Sequence, residues 1–207
     1  MIGIVNYGSG NFTSVYNALS SITNEIVTIN KVDDFDRCTH IILPGVGAFK
    51  AAMDKLSDLN LIEPLQNNVF QLRKPFLGIC VGMQILAETG FEFEETKGLG
   101  WIKGNVVKFD EDKLKSASLP HIGWNEIYNY NESPLFENIR VDDPSFYFVH
   151  SYHLESSEAN VQCTYSSYGY PFIAAIQKEN IFGVQFHPEK SQFNGIQVLK
   201  NFLKFNG

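Results

Sequence analysis

The chain has 207 residues, of which 44% are hydrophobic and 19% charged, and its formal net charge at pH 7 is -7. Such a chain can bury a substantial core, which excludes a disordered polymer and favours one domain over residues 1–207. The negative net charge and the lack of Lys or Arg runs argue against nucleic acid and anionic membranes as partners. No apolar stretch has the length or flanking residues of a signal peptide or a bilayer span. We therefore expect a cytoplasmic protein.

The first half of the chain has short apolar runs that alternate with helical patterns. The predicted strands cover residues 2–6, 25–29, 40–43 and 75–80, and the predicted helices cover residues 13–21, 49–56, 61–72 and 84–88. Gly8-Ser9-Gly10 and Pro44-Gly45 end the first and third strands abruptly. Strands that alternate with helices predict parallel βαβ units and an α/β fold.

The second half is rich in strand patterns with few helical patterns between them. Strands are predicted over residues 105–109, 121–130, 146–149, 161–166, 172–177 and 181–186, before a last helix over residues 195–205. Successive strands without intervening helices predict antiparallel pairs. No repeat or linker separates the two halves, so a second domain is not indicated.

The sharpest local signal is Gly78-Ile79-Cys80-Val81-Gly82, which lies between a strand pattern and a helical pattern. It is a Gly-X-Cys-X-Gly form of the nucleophile elbow, in which the glycines give a tight turn room. At the start of a helix the dipole favours thiolate over thiol. A lone cysteine is more often buried and inert, but the bracketing glycines favour a nucleophilic Cys80.

A thiolate nucleophile needs a base, and His187 has a carboxylate two residues after it in His187-Pro188-Glu189. Glu189 could hold the imidazole by accepting from its second ring nitrogen, which completes a nucleophile, a base and an orienting group. A loop histidine followed by a capping glutamate is the alternative interpretation of this segment.

Structural roles are predicted for the remaining cysteines and for several histidines. Cys38 and Cys163 lie in apolar strand patterns and are expected in the core, and His40 begins a strand. His150 and His153 have no third ligand at metal-binding spacing, so no metal site is predicted.

Two glycine-rich segments admit a plain structural explanation. Pro44-Gly45-Val46-Gly47 could be an ordinary turn after the third strand, although its position there also suits a catalytic loop. Gly8-Ser9-Gly10-Asn11 could suggest a phosphate-binding loop, but it lacks the spacing and the lysine of a P-loop.

Three segments of the chain occur in the order and at the separation found in class I, or triad, glutamine amidotransferases: Pro44-Gly45-Val46-Gly47, the Cys80 elbow and His187-Pro188-Glu189. The chain therefore resembles that family. Residues 6–11, 120–125 and 147–152, with Lys190-Ser191, are similar to the glutaminase subunits of imidazole glycerol phosphate synthase. The resemblance implies a flavodoxin-like class I glutaminase fold, with a central mostly parallel sheet flanked by helices and a smaller antiparallel sheet in the second half.

The resemblance also implies a role for each member of the triad. Cys80 would attack the side-chain amide of L-glutamine and form a glutamyl thioester. His187 would protonate the leaving ammonia and later activate water, while Glu189 would orient His187. No cofactor is implied.

The same resemblance assigns the substrate-binding residues. Backbone N–H groups of the loop Gly45-Val46-Gly47 and of Val81 would form the oxyanion hole. Gln84 and the Ser151-Tyr152 segment would hold the α-amino and α-carboxyl ends of glutamine.

The partner implied by the resemblance is a (β/α)8-barrel cyclase in a heterodimer. It would receive the ammonia and form imidazole glycerol phosphate and the AICAR ribonucleotide in histidine biosynthesis. The expected interface residues are Asn11, Trp124, Asn125 and Lys190. Family members similar to this chain also serve surface-polysaccharide synthesis beside a different synthetase, and composition does not separate these two pathways.

Two other classes remain as alternatives from the residues alone. A thiol hydrolase of esterase or peptidase type could use the same elbow, and a flavodoxin-like module could bind a nucleotide at the strand ends. Release of glutamate from glutamine would distinguish an amidotransferase from both.

Overall fold

The computed structural model describes residues 1–114, 117–130 and 132–206. Its main sheet has nine strands, of which the first five in spatial order run parallel. Numbered along the chain, these parallel strands are β2 (Ile26–Ile29), β1 (Ile2–Val5), β3 (His40–Leu43), β4 (Phe76–Ile79) and β13 (Ile181–Val184). Most of their residues are buried because helices cover both faces of a parallel sheet.

Four antiparallel strands from the second half extend this sheet beyond β13. In spatial order they are β12 (Tyr170–Lys178), β11 (Gln162–Tyr168), β8 (His121–Tyr128) and β9 (Ser145–His150). They join the main sheet because β12 pairs antiparallel with β13, from Ala175 opposite Val184 to Lys178 opposite Ile181. The second half therefore adds its antiparallel strands chiefly to the central sheet.

A second, four-stranded sheet packs beside the elbow. Its order is β10 (Tyr152–Glu155), β7 (Ile102–Lys108), β5 (Ala87–Gly90) and β6 (Thr96–Lys97), with antiparallel outer pairs and a parallel β5–β7 pair. The predicted α/β fold with a large central sheet and a smaller second sheet is confirmed.

The helices cover the faces of the main sheet and include one very short element. They are α1 (Phe12–Ser20), α2 (Phe49–Asp58), α3 (Ile62–Phe70), α4 (Val81–Gln84) and α5 (Gln192–Lys204), with 3-10 turns at Val32–Arg37, Pro134–Phe136 and Pro188–Lys190. No helix within the described ranges has the length and apolar character that crossing a bilayer requires.

The predicted helix over residues 84–88 is wrong. Helix α4 ends at Gln84, and Ala87–Gly90 forms strand β5. The carbonyl of Leu86 accepts the N–H groups of Trp101 and Ile102, both at 2.9 Å. Pairing with this distant segment overrides the local helical pattern, which a short apolar run does not specify strongly.

Candidate active site

Cys80 lies in the turn between β4 and α4 with a strained backbone. Its φ of 54° and ψ of -110° lie where a non-glycine residue is rare, and its side chain is buried. The flanking glycines make this turn possible, since a Cβ at Gly78 would lie 2.4 Å from the carbonyl oxygen of Gly82, and one at Gly82 would lie 2.0 Å from that of Leu43. The chain thus presents a cysteine on a tightly packed elbow.

His187 and Glu189 form a buried pair beyond the end of β13. Nδ1 of His187 lies 2.8 Å from Oε1 of Glu189, and both side chains are fully buried. The carboxylate accepts from Nδ1–H, so Nε2 is the nitrogen left for proton transfer. Among the described residues Nε2 has no hydrogen-bond partner.

Burial and neighbouring charges act in opposite directions on His187. Burial lowers its pKa, whereas the negative charge of Cys80 as a thiolate and that of Glu189 raise it, and the balance raises the pKa to about 10. The two side chains are therefore close enough to couple electrostatically. The raised pKa of His187 favours a protonated ring in the folded chain.

Asn11 belongs to this triad cluster and not to an open surface. Its Nδ2 donates to Oε1 of Glu189 at 3.2 Å, and its Oδ1 accepts from the hydroxyl of Ser9 at 2.6 Å. The side chain is only 4% exposed. The sequence analysis assigns Asn11 to a partner interface, whereas the loop after β1 turns its side chain inward to the carboxylate of Glu189.

The elbow opens into a cavity of about 500 Å³, which is large enough for an amino acid. It contains Cys80 and most of the predicted substrate-binding residues. The lining residues are Val46, Gly47, Cys80, Val81, Gln84, Glu92, Phe93, Lys108, Pro120, Val149, His150, Ser151 and Tyr152. Gly45 is not one of these lining residues; it packs against the elbow, where a Cβ would come within 2.6 Å of the backbone nitrogen of Gly82.

Two of the predicted oxyanion donors make hydrogen bonds within the chain. The N–H of Val81 donates to the carbonyl of Gly45 at 3.3 Å, and the N–H of Val46 donates to the hydroxyl of Ser9 at 3.2 Å. An oxyanion beside Cys80 could accept a hydrogen bond from the N–H of Val81 only after the carbonyl of Gly45 moves away. The loop Gly45-Val46-Gly47 is thus near the nucleophile but not arranged as an open oxyanion hole.

Gln84 and the Ser151-Tyr152 segment meet across the cavity. Nε2 of Gln84 donates to the carbonyl of Tyr152 at 2.9 Å, and Nδ1 of His150 lies 2.8 Å from the same oxygen. His150 also contacts His121 at 3.1 Å, within a cluster of aromatic rings. These histidines support the wall of the cavity, and within the described ranges no cluster of His, Cys, Asp or Glu has the arrangement of a metal site.

Sequence patterns missed several residues at this site. Glu92, Phe93 and Lys108 line the cavity from the second sheet and its connections, and Glu92 accepts the N–H of Phe49 at 2.7 Å. Burial raises the pKa of Tyr7 to about 12, so a neutral phenol lies against the elbow. No local motif marks Glu92, Phe93 and Lys108, because only the packing of the second sheet brings them to Cys80, whereas Tyr7 belongs to the segment of residues 6–11 after β1.

Of the other predicted interface residues, Trp124 and Lys190 both lie near Tyr147, whereas Asn125 points to the opposite face of β8. Trp124 is 46% exposed, and its ring centroid lies 6.0 Å from that of Tyr147. The ammonium of exposed Lys190 lies 5.7 Å from the Tyr147 ring. Asn125 is half-buried, accepting from His121 at 2.9 Å and donating to the carbonyl of Ser167 at 2.7 Å.

Comparison with known proteins gives a consistent family signal over nearly the whole chain. Residues 4–205 match the family described as glutamine amidotransferase class-I. The chain is 43% identical over 203 residues to the imidazole glycerol phosphate synthase subunit HisH of Leptospira interrogans, covering 98% of each chain. It is 43% identical over 208 residues to the subunit of the same name from Methanocaldococcus jannaschii, covering 99% of each.

Solved structures show the same fold at low sequence identity. A crystal structure of a glutamine amidotransferase is similar with a TM-score of 0.73 and 16% identity, covering 98% of this chain and 97% of that one. The structure of PurLQS from Thermotoga maritima is similar with a TM-score of 0.71 and 20% identity, covering 98% and 96% respectively.

Proposed function

The chain belongs to the class-I glutamine amidotransferase family, and from that premise we propose that Cys80, His187 and Glu189 are the residues that hydrolyse glutamine to glutamate and ammonia. The observation that carries the proposal is the strained Cys80 elbow facing a cavity beside a buried His187–Glu189 pair. A nucleophile, a base and an orienting carboxylate are the groups that acyl transfer from an amide needs.

In the first half-reaction the Cys80 thiolate attacks the side-chain amide carbon of glutamine. The carbonyl electron pair moves to oxygen, and as this oxyanion collapses the C–N bond breaks with a proton from Nε2 of His187. Ammonia leaves and a glutamyl thioester remains on Cys80. The raised pKa of His187 makes it protonated at the start, which is the state that an acid for the leaving nitrogen requires.

In the second half-reaction water attacks the thioester while His187, now neutral, accepts its proton. The C–S bond then breaks with its electron pair going to sulfur, which restores the thiolate and the imidazolium, and the new carboxyl group gives its remaining water proton to solvent as glutamate leaves. Glu189 remains a carboxylate throughout and holds Nδ1 of His187 at 2.8 Å.

The cavity offers groups for both ends of the substrate. The carboxylate of Glu92 suits the α-ammonium of glutamine by charge, and the Gln84 side chain and the Ser151-Tyr152 backbone offer hydrogen bonds to the α-groups. Movement of the Gly45 carbonyl would free the N–H of Val81 for the oxyanion.

We further propose that the ammonia goes to a partner synthase, since the compared relatives from Leptospira interrogans and Methanocaldococcus jannaschii are named as subunits of imidazole glycerol phosphate synthase. The partner would be a barrel cyclase of histidine biosynthesis. The face with Trp124, Tyr147 and Lys190 suits docking because it combines the exposed Trp124 ring and the half-buried Tyr147 ring with a cation next to Glu189. Asn125, the other residue that the resemblance assigns to the interface, has its side chain on the opposite face of β8, bonded to His121 and to the carbonyl of Ser167.

The experiment compares two nitrogen sources in one reconstituted complex of this chain with the cyclase. Cys80→Ala should abolish glutamine-dependent synthesis, whereas ammonium salt at raised pH should restore it, because free ammonia needs no hydrolysis. Synthesis from glutamine with Cys80→Ala would show that another nucleophile acts. Failure with both sources, while the cyclase alone uses ammonium, would refute simple ammonia supply.

A further inference from the structure

Gln185 is a fully buried amide that contacts the nucleophile and that the steps above do not use. It follows β13 directly and precedes His187 by two residues. Its side-chain Nε2 lies 3.6 Å from Sγ of Cys80, which is hydrogen-bond distance for sulfur, and the residue is 0% exposed. A buried amide is costly unless its hydrogen bonds are made, so the direction of this contact matters.

A short chain of hydrogen bonds fixes which end of the Gln185 amide faces the sulfur. The carbonyl of Tyr152 can only accept, so it holds the NH2 group of Gln84 at 2.9 Å. The other N–H of that group donates to Oε1 of Gln185 at 3.0 Å. Reversing the Gln185 amide would place two NH2 groups against each other, so its own NH2 group must point to Cys80.

We propose that Gln185 is a further catalytic residue, whose side-chain N–H donates to Sγ of Cys80 and stabilises its thiolate form. The inference rests on the proposed glutamine hydrolysis, in which sulfur carries negative charge before attack and again when the thioester breaks. A hydrogen-bond donor aimed at the charged form of a buried group stabilises that form relative to the neutral one. The backbone carbonyl of Val149, 4.0 Å from Sγ, can only accept and gives no such help.

The hydrogen bond has a defined place in the proposed reaction. When the tetrahedral intermediate formed by water on the thioester collapses, the C–S bond breaks and its electron pair goes to sulfur. The Gln185 N–H meets this charge as it develops, while His187 holds the proton taken from water. Gln185 thus assists departure of sulfur, and Gln84 and Tyr152 are positioning residues for it.

The test measures the reactivity of Cys80 without requiring glutamine hydrolysis. In alkylation the thiolate sulfur displaces iodide from iodoacetamide, so the rate reports the thiolate fraction, and mass spectrometry of the Cys80 peptide separates it from Cys38 and Cys163. Gln185→Met removes the donor at similar volume. We expect alkylation of Cys80 to slow about five- to tenfold at pH 7 and to match the unaltered chain within about twofold once the pH is high enough to ionise the thiol fully.

A matched control is available on the neighbouring strand. Gln177 in β12 is a half-buried glutamine that accepts from Ser133 at 2.8 Å and lies away from the elbow. Gln177→Met should leave the alkylation profile of Cys80 unchanged. An equal slowing in both variants would show a general loss of packing and would overturn the proposal.

Two further measurements test the proposal even if Gln185→Met does not fold. Gln185→Glu keeps an acceptor for Gln84 but places a carboxylate against sulfur, so it should slow alkylation at pH 7 at least as much as Gln185→Met. In the unaltered chain, the NMR resonances of the Gln185 side-chain amide should move with pH at the midpoint of the alkylation profile. Two outcomes would overturn the role of Gln185: a folded Gln185 variant whose alkylation profile matches that of the unaltered chain, or Gln185 amide resonances that do not move at the midpoint of that profile. Neither outcome would contradict the proposed glutamine hydrolysis.

Discussion

At the scale of single residues, the site depends on a few buried polar groups whose contacts come from far along the chain. Glu189 accepts from both His187 and Asn11, through the same oxygen, at 2.8 and 3.2 Å. Its second oxygen, Oε2, has no partner among the described residues. A carboxylate buried in this way is held in place by its neighbours, and it holds the imidazole in turn.

Replacing the nucleophile tests the first assignment. Cys80→Ser should retain the fold, since the side chains are similar in size, but should lower the rate of glutamine hydrolysis by about 10³-fold or more, because a hydroxyl has far less nucleophilic anion at neutral pH. Glutamate release gives the rate, and thermal unfolding checks the fold. Retention of most of the activity would rule out Cys80 as the nucleophile.

The two partners of the nucleophile should differ in importance. His187→Ala removes the group that carries the proton, whereas Glu189→Gln keeps a polar side chain that can still contact the ring. We expect kcat to fall more for His187→Ala than for Glu189→Gln, each by about 10²-fold or more. The reverse ranking in steady-state glutaminase assays would show that the two roles are wrongly assigned.

At the scale of elements, the elbow is a close contact between β3, β4 and one turn of helix. Gly82 lies so close to β3 that a Cβ would come within 2.0 Å of the carbonyl of Leu43. Because α4 has only four residues, its dipole contributes little to Cys80. The position of the sulfur is therefore set mainly by this packing and by its buried neighbours.

Substitution at this contact should damage both the elbow and the stability of the chain. In Gly82→Ala the new methyl group meets backbone, which cannot move aside as a flexible side chain would. We expect a loss of about 1–3 kcal/mol in the free energy of unfolding and a large loss of glutaminase activity. Urea titration and glutamate release measure the two effects. Unchanged stability would mean that the elbow can relax more than this contact implies.

At the scale of the whole molecule, the sheet order brings the proposed catalytic groups together. β13 pairs in parallel with β4, with Val184 opposite Ile79. The residues that follow each strand therefore emerge at the same sheet edge, which places Gln185 and His187 beside Cys80. Ligands bind at the carboxyl ends of strands in open α/β sheets for this reason.

The buried histidines make the stability of the molecule sensitive to acid. Burial lowers the pKa of His40, His121 and His153, and lowers that of His150 well below its usual range. Below pH about 6.5 the unfolded chain binds protons at these sites that the folded chain does not, so their contribution to stability is full above that pH and is lost as the pH falls. His187 has the opposite sign, because its raised pKa favours folding at low pH and this contribution is lost as the pH rises through about 10.

We therefore expect the urea midpoint of unfolding to decrease as the pH is lowered from about 6.5 to about 5.5, because His187 is protonated in both the folded and the unfolded chain over this range and does not oppose the change. Each of the four histidines contributes a slope of up to about 1.4 kcal/mol per pH unit below its unfolded pKa. Carboxylates with a lowered pKa, such as Asp34, Asp110 and Glu158, act at lower pH and fall outside this window. A midpoint that is constant or rises on acidification would contradict the assignment of neutral, buried rings.

The sequence by itself determined the features that neighbouring residues encode. The alternation of strands and helices in the first half predicts the parallel sheet. The glycines around Cys80 predict the elbow, because a tight turn needs them at fixed offsets, and His187 and Glu189 are paired by their spacing. These signals are local, and the resemblance of the motifs to a known family joined them into one proposed site.

Only the tertiary structure decided the contacts between distant parts of the chain. Asn11 lies 178 residues from Glu189, and Gln185 lies 105 residues from Cys80, so neither contact has a local pattern. Pairing with residues 101 and 102 likewise ended α4 at Gln84, against the helical pattern that follows. Hydrogen bonds and packing across the folded sheets outweigh the weak local preferences of short segments. The sequence pattern therefore does not predict these contacts or the end of α4.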